Sequence, residues 1–211
     1  MNTPATKISR QRFLSGLLLS LTALVVSSGC SSTGSMARGW QPDPGFESLF
    51  NGKDLTGWQY KGGDTFDGKA ASTDNRFTVT DGIMTAHDRD RRTQPIRQLW
   101  TIRTFPNDFI LKLEFRAGVN ADSGIFVRST QLQCRDYLIA GPYKNLKLYK
   151  PQDWNQIEIV VHGQTAHCTC NGELLEDAMK IAVNGGIGLE ADRGPTMDYR
   201  HIEIKELATA K

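Results

Sequence analysis

The sequence predicts an all-β protein, a two-sheet β-sandwich of the jelly-roll type. Short runs with period-two alternation of apolar and polar residues recur from Phe46 to Glu206, the pattern of strands with one buried face. Turn pairs rich in Gly, Asn and Asp separate these runs. After the N-terminal leader no amphipathic helical segment of about ten residues or more appears, which argues against packed helices. Many short strands with close turns fit a sandwich.

The elements follow in order. Phe46–Phe50 and Trp58–Tyr60 are short strand-like runs divided by Asn51-Gly52. Lys61–Asn75 is rich in Gly and Asp and reads as a surface loop; Asp64, Asp67 and Asp74 match no calcium-loop spacing. Arg76–Thr80 and Ile83–His87 flank Asp81-Gly82, a hairpin signal. Gln98–Thr104 precedes Phe109–Arg116, in which Phe109, Leu111, Leu113 and Phe115 alternate with Ile110, Lys112, Glu114 and Arg116. Asn120–Gly124 carries turn chemistry, so Gly124–Ser129 is expected to pair with Phe109–Arg116. Cys134–Gln152 is expected to be a loop at the rim of a cleft. Trp154–His162, Thr165–Cys170, Gly186–Glu190 and Tyr199–Glu206 complete the strands, with a second hairpin signal at Asn171-Gly172.

Residues 1–29 read as an export leader. Lys7, Arg10 and Arg12 precede an apolar stretch, Phe13–Val26, too short for a stable span. Ser27-Ser28-Gly29-Cys30 resembles a bacterial lipobox, which implies lipidation of Cys30 and a lipoprotein held at a membrane, periplasmic or on the cell surface. Residues 30–45 form a tether rich in Ser, Gly and Pro, and 46–207 form the domain. Of the 25 basic residues the leader removes three, leaving 22 against 23 acidic. That balance offers no basic patch for nucleic acid. Cys168 and Cys170 lie two apart on a strand and share a face, so they do not bridge each other; pairing of Cys134 with one of them remains open.

Several separated motifs resemble one family. They are FESLFNGKDLTGW at Phe46–Trp58, the D-F-x-L-x-x-E-F-R and N-x-D-S-G-I-F-V-R patterns within Asp108–Arg128, WNQIEIVV at Trp154–Val161, and GIGLEAD at Gly186–Asp192. The family is the 3-keto-disaccharide hydrolase domain, 3-keto-glucoside 1,2-lyase/hydratase-like, a concanavalin-like jelly roll. The resemblance implies cleavage of 3-keto-glycosides. A C3 ketone acidifies the C2 hydrogen, a base removes it, the C1 glycosidic oxygen leaves, and water adds back. It implies Glu114 or Glu190 as base, Arg128 holding the enolate with Arg193 as helper, and Asp136 as acid or orienting group. Trp100, Tyr137, Tyr143 and Lys147 would contact the sugar. A divalent metal is a further option, with Asp136, Glu190, Asp192 and His87 as ligands. The chain departs from the family pattern at Gln131–Tyr137, where many members carry a longer loop, and at Glu190 and Arg193, where many carry Gln and His. The rival reading is a non-catalytic, lectin-like carbohydrate-binding module. A retaining glycosidase is disfavoured, because the E-x-D-x-E strand motif is absent.

Overall fold

The computed structural model describes residues 39–88, 94–136, 142–192 and 194–208. Among them thirteen strands form two antiparallel sheets, and the helical content is one 3-10 turn at Pro142–Asn145. The strands are β1 (Glu47–Ser48), β2 (Trp58–Tyr60), β3 (Phe77–Thr80), β4 (Ile83–His87), β5 (Arg97–Thr101), β6 (Phe109–Ala117), β7 (Asp122–Val127), β8 (Thr130–Arg135), β9 (Asn155–His162), β10 (Thr165–Cys170), β11 (Glu173–Lys180), β12 (Ile187–Ala191) and β13 (Thr196–Glu206). The eight-stranded sheet runs β11-β10-β9-β6-β13-β4-β3, with β1 also pairing β13; the five-stranded sheet runs β2-β5-β12-β7-β8.

The expected hairpins form. Asp81-Gly82 joins β3 to β4, and Asn171-Gly172 joins β10 to β11; all four turn residues have positive φ, as a tight two-residue hairpin turn requires. Between the sheets lies a core built from alternate residues. On β6, Phe109, Leu111, Leu113, Phe115 and Ala117 point inward and Ile110, Lys112, Glu114 and Arg116 point out. Cys134 of β8 and Cys168 and Cys170 of β10 are buried in this core, and all three thiols are free.

Two expectations need correction, and one strand was not predicted. First, β6 and β7 do not pair. The turn at Asn120, with φ of 60°, carries the chain from one sheet to the other, so β6 lies between β9 and β13 and β7 lies between β12 and β8. Second, the segment after Arg128 is a strand, β8, paired along its length with β7. Its alternation is of amide against apolar residue, Gln131-Leu132-Gln133-Cys134. The unpredicted strand, Glu173–Lys180, is an edge strand, largely exposed on both faces, which leaves it no apolar pattern to read.

Candidate active site

Glu190 is the buried carboxylate that organises the outward face of the five-stranded sheet. It lies on β12, between the inward-facing Leu189 and Ala191, opposite Gln98 of β5. Both central strands of this sheet, β7 and β12, are buried on both faces. The reason is visible in two glycines. A Cβ on Gly124 would lie 2.2 Å from Gln131 Nε2 and 2.6 Å from its Cγ. The bare glycine leaves the slot through which the Gln131 side chain reaches Glu190, donating from Nε2 to Oε2 at 2.9 Å. Gln98 Nε2 donates to the other carboxylate oxygen at 3.3 Å. A Cβ on Gly188 would lie 2.9 Å from the Trp100 ring, so the indole lies over Gly188, with Phe126 beyond it at 5.3 Å between ring centroids. The face therefore sets a carboxylate held at both oxygens beside an aromatic floor.

Glu190 is anchored from behind as well. Ser123 donates its hydroxyl to the Glu190 carbonyl at 2.6 Å and meets the Tyr199 hydroxyl of the other sheet at 2.8 Å. On the outward face, Asp122 accepts from Gln133 Nε2 at 2.8 Å and from Arg135 Nε at 3.1 Å. A small cavity of about 10 Å³, lined in part by Glu190, Asp122, Asp192 and Ser123, has the space of about one water. Burial pushes the Glu190 carboxyl above its ordinary 4.5; Asp192 and Asp122 push the same way, and the two amide donors oppose them. A buried carboxyl with a raised pKa and two fixed donors is the arrangement of a proton-transfer group. Trp100 Nε1 adds a buried donor with no partner among the described residues.

The residues singled out from sequence divide between places. Glu190 and Trp100 share the face just described. Glu114 does not. It lies on the outward face of the eight-stranded sheet, where Arg200 Nε donates to it at 2.6 Å and His201 Nδ1 lies 3.3 Å away. Arg128 sits at the tip of the β7–β8 hairpin, at the far end of β7 from Asp122. Its guanidinium donates to the carbonyls of Phe105 (2.6 Å), Asn107 (2.5 Å), Gly163 (2.8 Å) and Ala182 (3.4 Å), so it ties loops together. Asp136 accepts from the Asn120 backbone N–H at 2.9 Å and from the Gln152 side chain, joining two loops. Tyr143 is fully buried, its hydroxyl donating to the Gln133 carbonyl at 2.7 Å. Lys147 is exposed, its backbone N–H donating to Glu173 at 2.9 Å. Tyr137, Arg193 and Cys30 lie outside the described residues.

The metal set does not assemble either. His87 lines the same small cavity as Glu190, but its Nε2 meets Thr78 Oγ1 at 2.8 Å on the outward face of the eight-stranded sheet. Among the described residues no group of three or more His, Cys, Asp or Glu is placed to hold an ion. Sequence reasoning missed Gln98, Gln131 and Asp122. The signal for Gln131 was the amide alternation of β8, legible once that segment is read as a strand.

The slot at Gly124 makes a direct prediction. Gly124→Ala displaces a flexible side chain and should cost no more than about 1–3 kcal/mol of stability. It should also strip Glu190 of the Gln131 donor and raise the carboxyl pKa further. The pH–rate profile checks this: the rising limb of kcat/KM should move to higher pH, while a melting curve shows the fold retained.

Among solved structures, the chain is similar to two proteins of Parabacteroides distasonis ATCC 8503, each described as a candidate glycosyl hydrolase. One is 18% identical, with 78% of this chain and 95% of that one covered and a TM-score of 0.58. The other is 20% identical, with 77% and 99% covered and a TM-score of 0.55. At these identities the likeness shows the fold. No curated protein matches the chain. Residues 45–205 match the 3-keto-alpha-glucoside-1,2-lyase-like domain, and the chain, folded as the two-sheet jelly roll of those relatives, belongs to that family.

Proposed function

We propose that this protein cleaves 3-keto-glycosides by elimination and rehydration, with Glu190 as the base. The observation that carries the reading is the buried Glu190 carboxylate, held at both oxygens by Gln98 and Gln131 beside the Trp100–Phe126 floor, in a chain of this family. The sugar lies on the outward face of the five-stranded sheet with its apolar C–H face on the aromatic floor. Ionised Glu190 takes the C2 proton, which the C3 ketone has acidified. The electron pair forms an enolate on the C3 oxygen, and the amide N–H groups of Gln98 and Gln131 are the nearby donors on this face. Collapse of the enolate expels the glycosidic oxygen from C1, which takes a proton from solvent water and departs as the alcohol, a proton that the water adding at C1 later gives back. Water then adds across C1 and C2. Glu190, its carboxyl proton exchanged with solvent, protonates C2 in the process.

Arg128 and Glu114 have no part in this chemistry; one donates to four backbone carbonyls at the far end of β7 and the other lies on the opposite sheet. The export leader and the lipobox-like Cys30 support a lipid-anchored protein acting outside the cytoplasm. Incubation of the mature protein with 3-keto-trehalose, 3-keto-glucosides and their unoxidised parents, with and without chelator, tests the substrate class. Cleavage confined to the keto sugars is expected. Binding across the panel with no turnover would point instead to a lectin-like module.

A further inference from the structure

The polar face of β6 has a use that the Glu190 chemistry leaves open. Its outward residues meet β13 at a bulge: Arg200 pairs with Glu114, the next paired residue is Glu203 with Lys112, and the extra residue falls between. His201 sits in that bulge with φ of 53°, a left-handed conformation unfavourable for a non-glycine residue. Bulges of this kind re-aim a side chain. Here the imidazole stacks on Trp40, with centroids 4.7 Å apart and planes 11° apart. Both rings line a groove of about 400 Å³ that also takes in Arg200 and Lys53, a volume in the range of small-molecule sites. Trp40 keeps 36% of its surface exposed.

The hydrogen-bonding character of the groove is fixed. Glu114 is a carboxylate that accepts only, so His201 Nδ1, 3.3 Å from it, carries the ring proton and Nε2 is left as an acceptor. Burial holds the imidazole below its ordinary 6.5, which keeps it neutral near pH 7. Arg200 is oriented twice, by Nε donating to Glu114 at 2.6 Å and by its guanidinium lying 3.9 Å from the Trp154 ring centroid. Among the described residues its terminal nitrogens have no partner. A fixed acceptor thus stands beside fixed donors and an indole face. A carboxylate ligand would only accept and an ammonium would only donate. A hydroxyl does both, and a pyranose adds a flat C–H face for the indole.

We propose that this groove is a second saccharide site, taking a neutral, unoxidised sugar ring on the sheet opposite Glu190. The site is independent of the keto-sugar chemistry, because it requires hydroxyls and no ketone. The test uses the mature protein carrying Glu190→Gln, titrated with methyl α-glucoside and with trehalose while the indole N–H signal of Trp40 is followed by NMR; Trp40→Phe assigns that signal. The expected result is a saturable shift of the Trp40 signal with the sugars. His201→Gly should weaken binding at least tenfold by this shift, Trp40→Ala should weaken it at least tenfold by isothermal titration calorimetry, and the same two substitutions in the otherwise unaltered protein should leave turnover of 3-keto-trehalose unchanged. His201→Gly also relieves the strained φ, so a melting temperature held or raised confirms that the loss is of binding and not of folding. No shift of the Trp40 signal, a shift that survives His201→Gly, or displacement of the sugar by equimolar acetate would overturn the proposal.

Discussion

Glu190→Gln should reduce kcat on a 3-keto-glycoside by about 10²- to 10⁴-fold, the usual contribution of a positioned general base, without lowering the melting temperature at pH 7. The second half follows from the direction of the pKa shift. Burial raises the Glu190 carboxyl above 4.5, so the fold favours its neutral form. That preference stabilises the protein fully below the unfolded pKa and is lost as pH rises through the folded one. At pH 7 the carboxylate is ionised at some cost to the fold, which a neutral amide of the same shape removes. The variant should therefore melt at or above the parent at pH 7, with the difference shrinking toward pH 4. Paired melting curves and steady-state rates across that range check both halves. The parent's rate should rise with pH through a midpoint above the ordinary glutamate value, since the base must be ionised.

Arg128→Ala should do the reverse: a large loss of stability with the chemistry preserved in the folded fraction. Four backbone carbonyls lose a buried charged donor, each bond being worth about 1 kcal/mol or somewhat more. The guanidinium also lies over the Phe109 ring at 5.3 Å, and its removal opens space in the packed hairpin end. A total of about 4 kcal/mol is expected, a fall of roughly 10 °C in melting temperature for a domain of this size. Arg128→Lys should recover little, because a single ammonium cannot span carbonyls from three loops. Below the lowered melting temperature, kcat should stay within a few-fold of the parent. A hundredfold loss of kcat in a still-folded variant would restore Arg128 to the reaction.

The contrast between these two residues shows what the sequence could disclose. Alternation assigned the buried and outward sides of β6 correctly, and the Asp-Gly and Asn-Gly pairs located both hairpins, because these signals are local. Which sheet a strand joins is not local. Asn120 offers the same turn chemistry whether the chain folds back on β6 or crosses to the other sheet, so Glu114 and Arg128 looked like neighbours across one strand pair. Arg128 resembled a catalytic cation because it ends the N-x-D-S-G-I-F-V-R motif that carries the family resemblance. Its partners are backbone carbonyls of distant loops, which carry no residue signature. Glu190 and Trp100 were legible as candidates. Their convergence was not, since it depends on Gly124 and Gly188 leaving room for Gln131 and the indole.

The most direct test of the central claim is the fate of the C2 hydrogen. Cleavage of 3-keto-trehalose by the mature protein in D2O, with the freed 3-keto-glucose read by NMR at early times against a control of product alone, distinguishes the two routes. Elimination and rehydration through Glu190 predicts solvent deuterium at C2 of the product, with cleavage and incorporation both falling by about 10²-fold or more in Glu190→Gln. Cleavage that leaves the C2 hydrogen in place, or incorporation undiminished in Glu190→Gln, would contradict it.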